Sequence, residues 1–233
     1  ARRTSKPAGE APAAPTVVAA KNVRGETLRD ATFTVARNEI IAIVGVAGNG
    51  QSELASMLRG LQKPSGGTLT IDASRTGHIP EDRTRDGIVA PMTIAENLAL
   101  TSRTWHPRRA RERAHQMIAI YSIRAQSPLQ LAGSLSGGNQ QKVILARELD
   151  RNPELIVAAE PTRGLDFEAT RFVHEQLRAA AAAGAAIVLI TSDLDEAFAL
   201  AHALHVIYRG SLSPRLSPAE ASVRAGALMA GVA

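Results

Sequence analysis

The sequence predicts an α/β domain, a largely parallel sheet with helices on both faces, and three observations carry that expectation. Short apolar runs rich in β-branched residues, such as Ile40-Ile41-Ala42-Ile43-Val44, Leu155-Ile156-Val157 and Ala186 to Ile190, have the length and composition of buried strands. Segments of helical periodicity separate them, a rhythm that builds parallel sheets. The chain has 233 residues, 45% of them apolar, enough to bury one sizeable core.

Taken in order, residues 1–15 are polar, hold three prolines and show no apolar period, so they read as a linker or disordered tail, with the domain proper over 16–233. The chain starts with Ala1 rather than methionine, which reads as a fragment or processed product with something preceding it. Val17-Val18 and the alternation Ala31, Phe33, Val35 read as strands ahead of the buried strand Ile40 to Val44. A glycine loop leads into a helix over Gln51 to Leu61 with Leu54, Met57, Leu58 and Leu61 on one face. Pro64-Ser65-Gly66-Gly67 then breaks to a strand at Thr68 to Ile71.

The middle, about residues 90–135, reads as a helical insertion. Thr93 and Glu96 form a capping box ahead of Ile94 to Leu100, and Arg108 to Tyr121 is an arginine-rich amphipathic helix. Its Arg108, Arg109, Arg111, Glu112 and Arg113 read as a solvated face. The α/β rhythm resumes with a strand to Ala159, a helix over Glu168 to Ala183 stopped by Gly184, and a strand Ala186 to Ile190. A short helix Leu194 to Ala201, a strand Leu204 to Tyr208 closed by Gly210, and a terminal helix capped by Ser217-Pro218 and Glu220 complete it.

Composition excludes several classes. There is no cysteine, hence no disulfide and no thiolate site, and no apolar run or signal peptide that would span or cross a bilayer, so a cytoplasmic location is expected. The net charge of +5 raises nucleic acid or a membrane surface as partners, but arginine and alanine excess together also follow from genomic base composition.

Two stretches carry chemistry. In Leu135-Ser136-Gly137-Gly138-Asn139-Gln140, running into Val143, Ile144 and Leu145, Ser136 is placed to N-cap a helix whose glycines leave N–H groups bare at the positive end of the dipole, an anion seat. Gly45-Val46-Ala47-Gly48-Asn49-Gly50-Gln51-Ser52 follows a buried strand and opens a helix, the place and spacing of a P-loop. Ser52 keeps the hydroxyl that would meet Mg²⁺, but Gln51 stands where the lysine belongs. A neutral amide forfeits a charge-assisted hydrogen bond of about 1.5–3 kcal/mol.

Together these strings resemble ABC-type ATPases: Leu135 to Gln140 is similar to the family's signature motif, Leu155 to Pro161 to its Walker B strand, and Thr162-Arg163-Gly164-Leu165-Asp166 to its D-loop. The resemblance runs from about Val17 to Gly210 and implies a P-loop NTPase fold of ABC type, with an antiparallel β part and an inserted helical subdomain. It also implies ATP and Mg²⁺ as cofactors. Against the family pattern, Ala159 replaces the carboxylate of the Mg²⁺ shell, Ser192 replaces the histidine that touches the γ-phosphate, and Glu81 replaces a glutamine. Glu160, the family's water-polarising glutamate, survives. Two carboxylates beside a triphosphate repel it unless Mg²⁺ or Arg83 and Arg85 compensate. No aromatic side chain occupies Val23-Arg24-Gly25, where the family stacks adenine.

The erosion is selective, sparing the groups the family presents to a partner's nucleotide. Gly48-Asn49-Gly50-Gln51 with Pro161-Thr162-Arg163-Gly164-Leu165-Asp166 looks like the second ATP-binding domain of tandem energy subunits in sugar and nucleoside importers. The resemblance thus implies an upstream ATP-binding domain, in the same polypeptide, and transmembrane permease subunits as partners, no specific nucleic acid, and a place on the cytoplasmic face of the membrane. The own site (Gly45, Gly48, Asn49, Gly50, Gln51, Ser52, Glu81, Glu160, Ser192) is expected to bind ATP weakly. Leu135 to Gln140 and Asp166 are expected to act in trans. The alternatives are a non-transport relative acting on ribosomes or DNA, and an interaction module that has lost nucleotide altogether.

Overall fold

The computed structural model describes residues 14–102 and 104–232, so the expected tail lies outside the described residues apart from its last two. Two sheets form the frame. Strands β1 (Thr16–Arg24), β2 (Ala31–Ala36) and β4 (Gly66–Ile71) make an antiparallel sheet in the order β2-β1-β4. The main sheet is ordered β5-β6-β7-β3-β8-β9, from β3 (Ile40–Val44), β5 (Thr76–Ile79), β6 (Leu155–Ala159), β7 (Ala186–Thr191), β8 (Ala203–Tyr208) and β9 (Ser211–Leu212). All its pairings are parallel except the last, β8 with β9.

β3 shows why these residues are strands. All five are buried, and their two-residue period divides them: Ile40, Ala42 and Val44 join one core, Ile41 and Ile43 the other. The first core lies between the main sheet and helices α4 (Gly137–Leu149), α5 (Phe167–Ala182), α6 (Leu194–Leu200) and α7 (Pro218–Met229). The second is closed by the antiparallel sheet and α1 (Gln51–Leu58), with Phe33, Leu54, Met57 and Leu58 packed between them.

Between β5 and α4 the chain inserts α2 (Ile94–Ala99) and α3 (Pro107–Ile120). The Thr93–Glu96 and Ser217–Glu220 capping boxes both form as expected. Buried Asn97 then fastens the segment ahead of α2: its amide accepts from Val89 N–H (2.9 Å) and donates to the carbonyls of Val89 (3.0 Å) and Thr93 (3.1 Å).

Three expectations change. α1 stops at Leu58, because Gly60 at φ 73 turns the chain left-handed, so Leu61 is exposed rather than on the apolar face. The strands predicted at Val17-Val18 and Thr68 to Ile71 extend over β1 and β4. β5 and a π-helical turn over Arg83–Gly87 appear where the sequence predicts neither.

Candidate functional site

The loop between β3 and α1 lies beyond the carboxyl end of the sheet, where open α/β folds place their ligands. Two glycines are required by geometry. Gly50, which precedes α1, sits at φ 105, and a Cβ on Gly45 would lie 2.5 Å from the Ile207 carbonyl oxygen of β8. The Gln51 amide does not reach outward. Its Nε2 donates to the carbonyls of Gly45 (3.1 Å) and Val46 (2.8 Å), and its Oε1 accepts from Asn49 N–H (2.9 Å). Asn49 donates to the Val46 carbonyl (2.7 Å) and accepts from Arg209 N–H (2.6 Å). The loop is laced to itself, and one N–H of the kind that cradles phosphate is consumed; no protein group takes the N–H of Gly48 or Gly50 among the described residues.

Around this loop, Ala47, Gly48, Gln51, Ser52, Glu81, Ala159, Glu160 and Ile190 enclose a cleft of about 50 Å³. It sits beside a wider one of about 540 Å³ that Ser192, Asp193 and Arg163 also line. Glu160 is held at φ 44, unusual for a side-chain-bearing residue, and its Oε1 accepts from Ser192 N–H at 2.7 Å. Glu81 pairs with Arg163 (2.6 Å), whereas Arg83 and Arg85, read from the sequence as compensation for the carboxylates, bond elsewhere. The π-helical turn, capped by Asp82, sets Arg83 against the Arg163 carbonyl (2.7 Å) and Arg85 against Asp86 (2.8 Å).

Oxygen donors for a Mg²⁺ ion are thin. The Ser52 hydroxyl has no protein partner among the described residues, but Glu81 is committed to Arg163, Glu160 to Ser192, and Ala159 offers nothing. No group of three His, Cys, Asp or Glu there is poised to hold a metal. The phosphate groups of a nucleotide therefore fit the remaining loop N–H groups better than a metal ion alone fits the side chains.

Beside Val23-Arg24-Gly25, the stretch where the resemblance places adenine stacking, lies Glu53. Its carboxylate accepts from the N–H groups of Glu26 (2.6 Å), Thr27 (2.9 Å) and Leu28 (2.9 Å) and from Gln62 (3.1 Å). Burial would raise its pKa, but these donors, Leu28 foremost, hold it below the usual carboxylate value.

The signature end is built differently. Ser136 has the extended backbone of an N-cap, but its side chain does not cap α4. Asn139 is the reason: its Nδ2 donates to Ser136 Oγ (2.8 Å), and its Oδ1 accepts from Arg124 N–H (2.7 Å). The first N–H groups of α4 are thus left without a side-chain partner, at the positive end of a helix of 13 residues. Ser136, Gly138 and Asn139 line one cleft with Asp166, Lys142 and Arg124, which shares no residue with the clefts at the phosphate loop. Asp166 itself caps α5, accepting from Ala169 N–H at 2.8 Å. Leu135 is buried in the core and anchors the loop instead of facing outward, and Gln140 is half-buried against the Ala132 carbonyl (3.4 Å).

Sequence reasoning missed the residues that join the two ends. Gln141 of α4 donates to the Pro161 carbonyl (2.7 Å, buried), and Thr162 donates to the buried carboxylate of Glu196 in α6 (2.7 Å). The only available signal was a glutamine inside an otherwise apolar helix face; Glu196 reads as an ordinary first-turn acid.

A family model described as ABC transporter matches residues 28–163. Over 238 residues the chain is 39% identical to the guanosine import ATP-binding protein NupO of Bacillus subtilis (strain 168), covering 92% of this chain and 47% of that one. It is 35% identical to the glucose import ATP-binding protein TsgD13 of Haloferax volcanii, covering 88% and 42%. The chain thus spans about half the length of the curated relatives it matches. Among solved structures it superposes on the dimeric, post-hydrolysis ATP-binding cassette MJ0796 bound to ADP and Pi with a TM-score of 0.74 at 22% identity, covering 86% of this chain and 98% of that one, a likeness of fold.

Proposed function

The chain belongs to the ABC transporter family, and from that premise we propose that it is one of two ATP-binding domains in the energy subunit of an importer for simple sugars or nucleosides. Its own nucleotide site is degenerate, and its signature end completes the ATP site of the partner domain. Residues 90–135 form its helical subdomain. The observation that carries this reading is the contrast between the laced loop around Gln51 and the uncapped start of α4.

In the own site, Gly48, Gly50 and Ser52 would hold a nucleotide's phosphates weakly, with Mg²⁺ arriving on the nucleotide and meeting Ser52. When bound, Mg²⁺ supplies charge neutralisation between the phosphate groups. At the other end, the N–H groups of Gly137 and Gly138 with the Ser136 hydroxyl would meet the γ-phosphate held by the partner, where a preorganised donor set stabilises developing charge. The relatives' printed roles in guanosine and glucose import, and their roughly doubled length, support a tandem importer subunit; the motif pattern of this chain makes it the second domain in our reading, with the partner upstream. Permease subunits would hold it at the cytoplasmic face of the membrane; among the described residues no helix is long and apolar enough to cross one.

The test compares two variants of the full-length polypeptide. Gly138→Asp sets a carboxylate where a phosphate must approach, while its Cβ meets only that of Ala169 at 3.2 Å, a tight contact that Ala169 must ease, so a melting curve of the variant accompanies the assay. ATP turnover should fall at least about a hundredfold. Glu160→Gln keeps the acceptor for Ser192 N–H and should leave more than about half the turnover, since it removes only this domain's own water-polarising carboxylate. Equal loss in both, or loss only in the Glu160 variant, would make this half the catalytic one.

A further inference from the structure

At the amino end of the parallel strands, opposite the end that carries the phosphate loop, a cavity of about 340 Å³ opens between the β2–β3 turn and the ends of α3, α4 and α5. It exists because the end of α5 is built of small residues: Ala179, Ala180, Ala183, Gly184 and Ala185 form one wall. Four side chains with uncommitted donors meet there. Arg37 is half-buried and makes no ion pair and no side-chain hydrogen bond among the described residues. Tyr121 is only 7% exposed, yet its hydroxyl has no protein partner among those residues, and the amides of Asn152 and Gln176 are likewise uncommitted.

The charge balance points one way. The cavity's other arginine, Arg75, is neutralised by Glu154 at 3.6 Å and also donates to the Asn152 carbonyl (3.2 Å). Glu154 is itself occupied by the N–H (2.7 Å) and hydroxyl (3.1 Å) of Ser74. The last carbonyls of α5, the usual resting place for a cation, are taken: Asn38 Nδ2 donates to Ala181 (3.0 Å) and Ala182 (3.2 Å), and the N–H of Ala185 to Ala180 (3.1 Å). Glu154 also lies within electrostatic reach of Arg37, so two guanidiniums share one carboxylate and one positive charge is left over in a half-buried place, where a bidentate anion is its natural complement. The Tyr121 ring, Leu149, Pro153 and the alanine wall add an apolar floor.

We propose that this cavity binds a small organic anion, a carboxylate or phosphate monoester carried on a flat apolar body. Arg37 takes the anion in its fork, Tyr121 and the amides of Asn152 and Gln176 donate to its remaining oxygens, and the body lies on the alanine wall. The volume falls at the lower end of the range for small-molecule sites, about 300–1,000 Å³. Because Tyr121 follows α3 whereas Arg37 and α5 belong to the sheet frame, an occupant ties the inserted helices to the core.

Benzoate and phenyl phosphate serve as probes, with benzamide and inorganic phosphate as counterparts, titrated into the full chain by calorimetry at fixed ionic strength. At least one organic anion should bind with a Kd of about 1 mM or tighter, and the counterparts at least about tenfold more weakly. The tighter of the two anions identifies the head group. Arg37→Gln should weaken binding at least about tenfold and Tyr121→Phe about threefold, while ATP should displace neither probe. Should Arg37→Gln fail to fold, as read from its melting curve, Tyr121→Phe decides. Failure of both anions to bind below about 10 mM, unchanged affinity in the folded variants, or displacement by ATP overturns the proposal.

Discussion

Gln51 and Asn139 are both side-chain amides at the start of a helix, and they act in opposite directions. Gln51 turns inward, spending its donor on two loop carbonyls and its acceptor on the Asn49 N–H, so an anion seat is partly filled by the protein itself. Asn139 engages the Ser136 hydroxyl that would otherwise cap α4, so the N–H groups there stay bare. The same functional group closes one anion seat and holds the other open. The difference lies in which backbone atoms lie within its reach, not in residue type.

The contrast can be broken first at the loop. Gln51→Lys replaces the internal lacing with an ammonium, and ATP affinity of this chain should rise at least about tenfold, from a charge-assisted bond of about 1.5–3 kcal/mol. Turnover should stay negligible, because Ala159 and Ser192 remain. Equilibrium dialysis with labelled ATP and a phosphate-release assay check both halves; robust turnover from this one change would show that the loop amide, not the missing carboxylate, silences the site.

A second measurement asks whether both ends rest on one frame. Burial, with Arg59 adding to it, pushes the His78 pKa from 6.5 down to about 4, and burial likewise lowers that of His205 against the pull of the Ser213 carbonyl. Both are neutral in the fold, so the unfolded chain takes up protons first as pH falls. Stability should be full above about pH 7 and be lost as pH drops through 6.5 towards 4, by about 2 kcal/mol at about pH 5 from His78 alone. Denaturant titrations at about pH 8 and pH 5 test this, and a midpoint that does not move, or that rises on acidification, contradicts it.

The smallest effect belongs to Asn139→Ala. It releases Ser136 Oγ to cap α4 and frees the Arg124 N–H, so full-length ATPase activity should fall about three- to tenfold, at neutral bonds of about 0.5–1.5 kcal/mol each, with ATP affinity unchanged. Activity equal to that of the parent would mean that the bare helix start owes nothing to this amide.

How much of this was legible depended on how far apart the partners are in the chain. The parallel strands were readable because Ile40 to Val44 and Ala186 to Ile190 are continuous apolar runs, and both capping boxes because their partners are three residues apart. β5 was not, since Thr76-Gly77-His78-Ile79 is short, holds a glycine, and is a strand only because β6 lies beside it. The missing lysine could be read directly, but what Gln51 does instead could not. Arg163 as the partner of Glu81 spans 82 residues, beyond any local pattern, and Glu53 gave no sign that it would gather three N–H groups from the loop before β2.

The buried bond from Gln141 to the Pro161 carbonyl has a consequence for association. α4 and the segment after β6 are stapled together, and Thr162 fixes that segment in turn to α6. The start of α4 and Asp166 are therefore set in mutual position within the chain, and on the proposed reading they would meet a partner with little conformational freedom left to surrender. Ordering each loose, rotamer-rich side chain at an interface costs about 0.5–1.5 kcal/mol. If a partner domain docks there as proposed, a prearranged surface would avoid that cost at every encounter, leaving the strength of the contact to the nucleotide held between them.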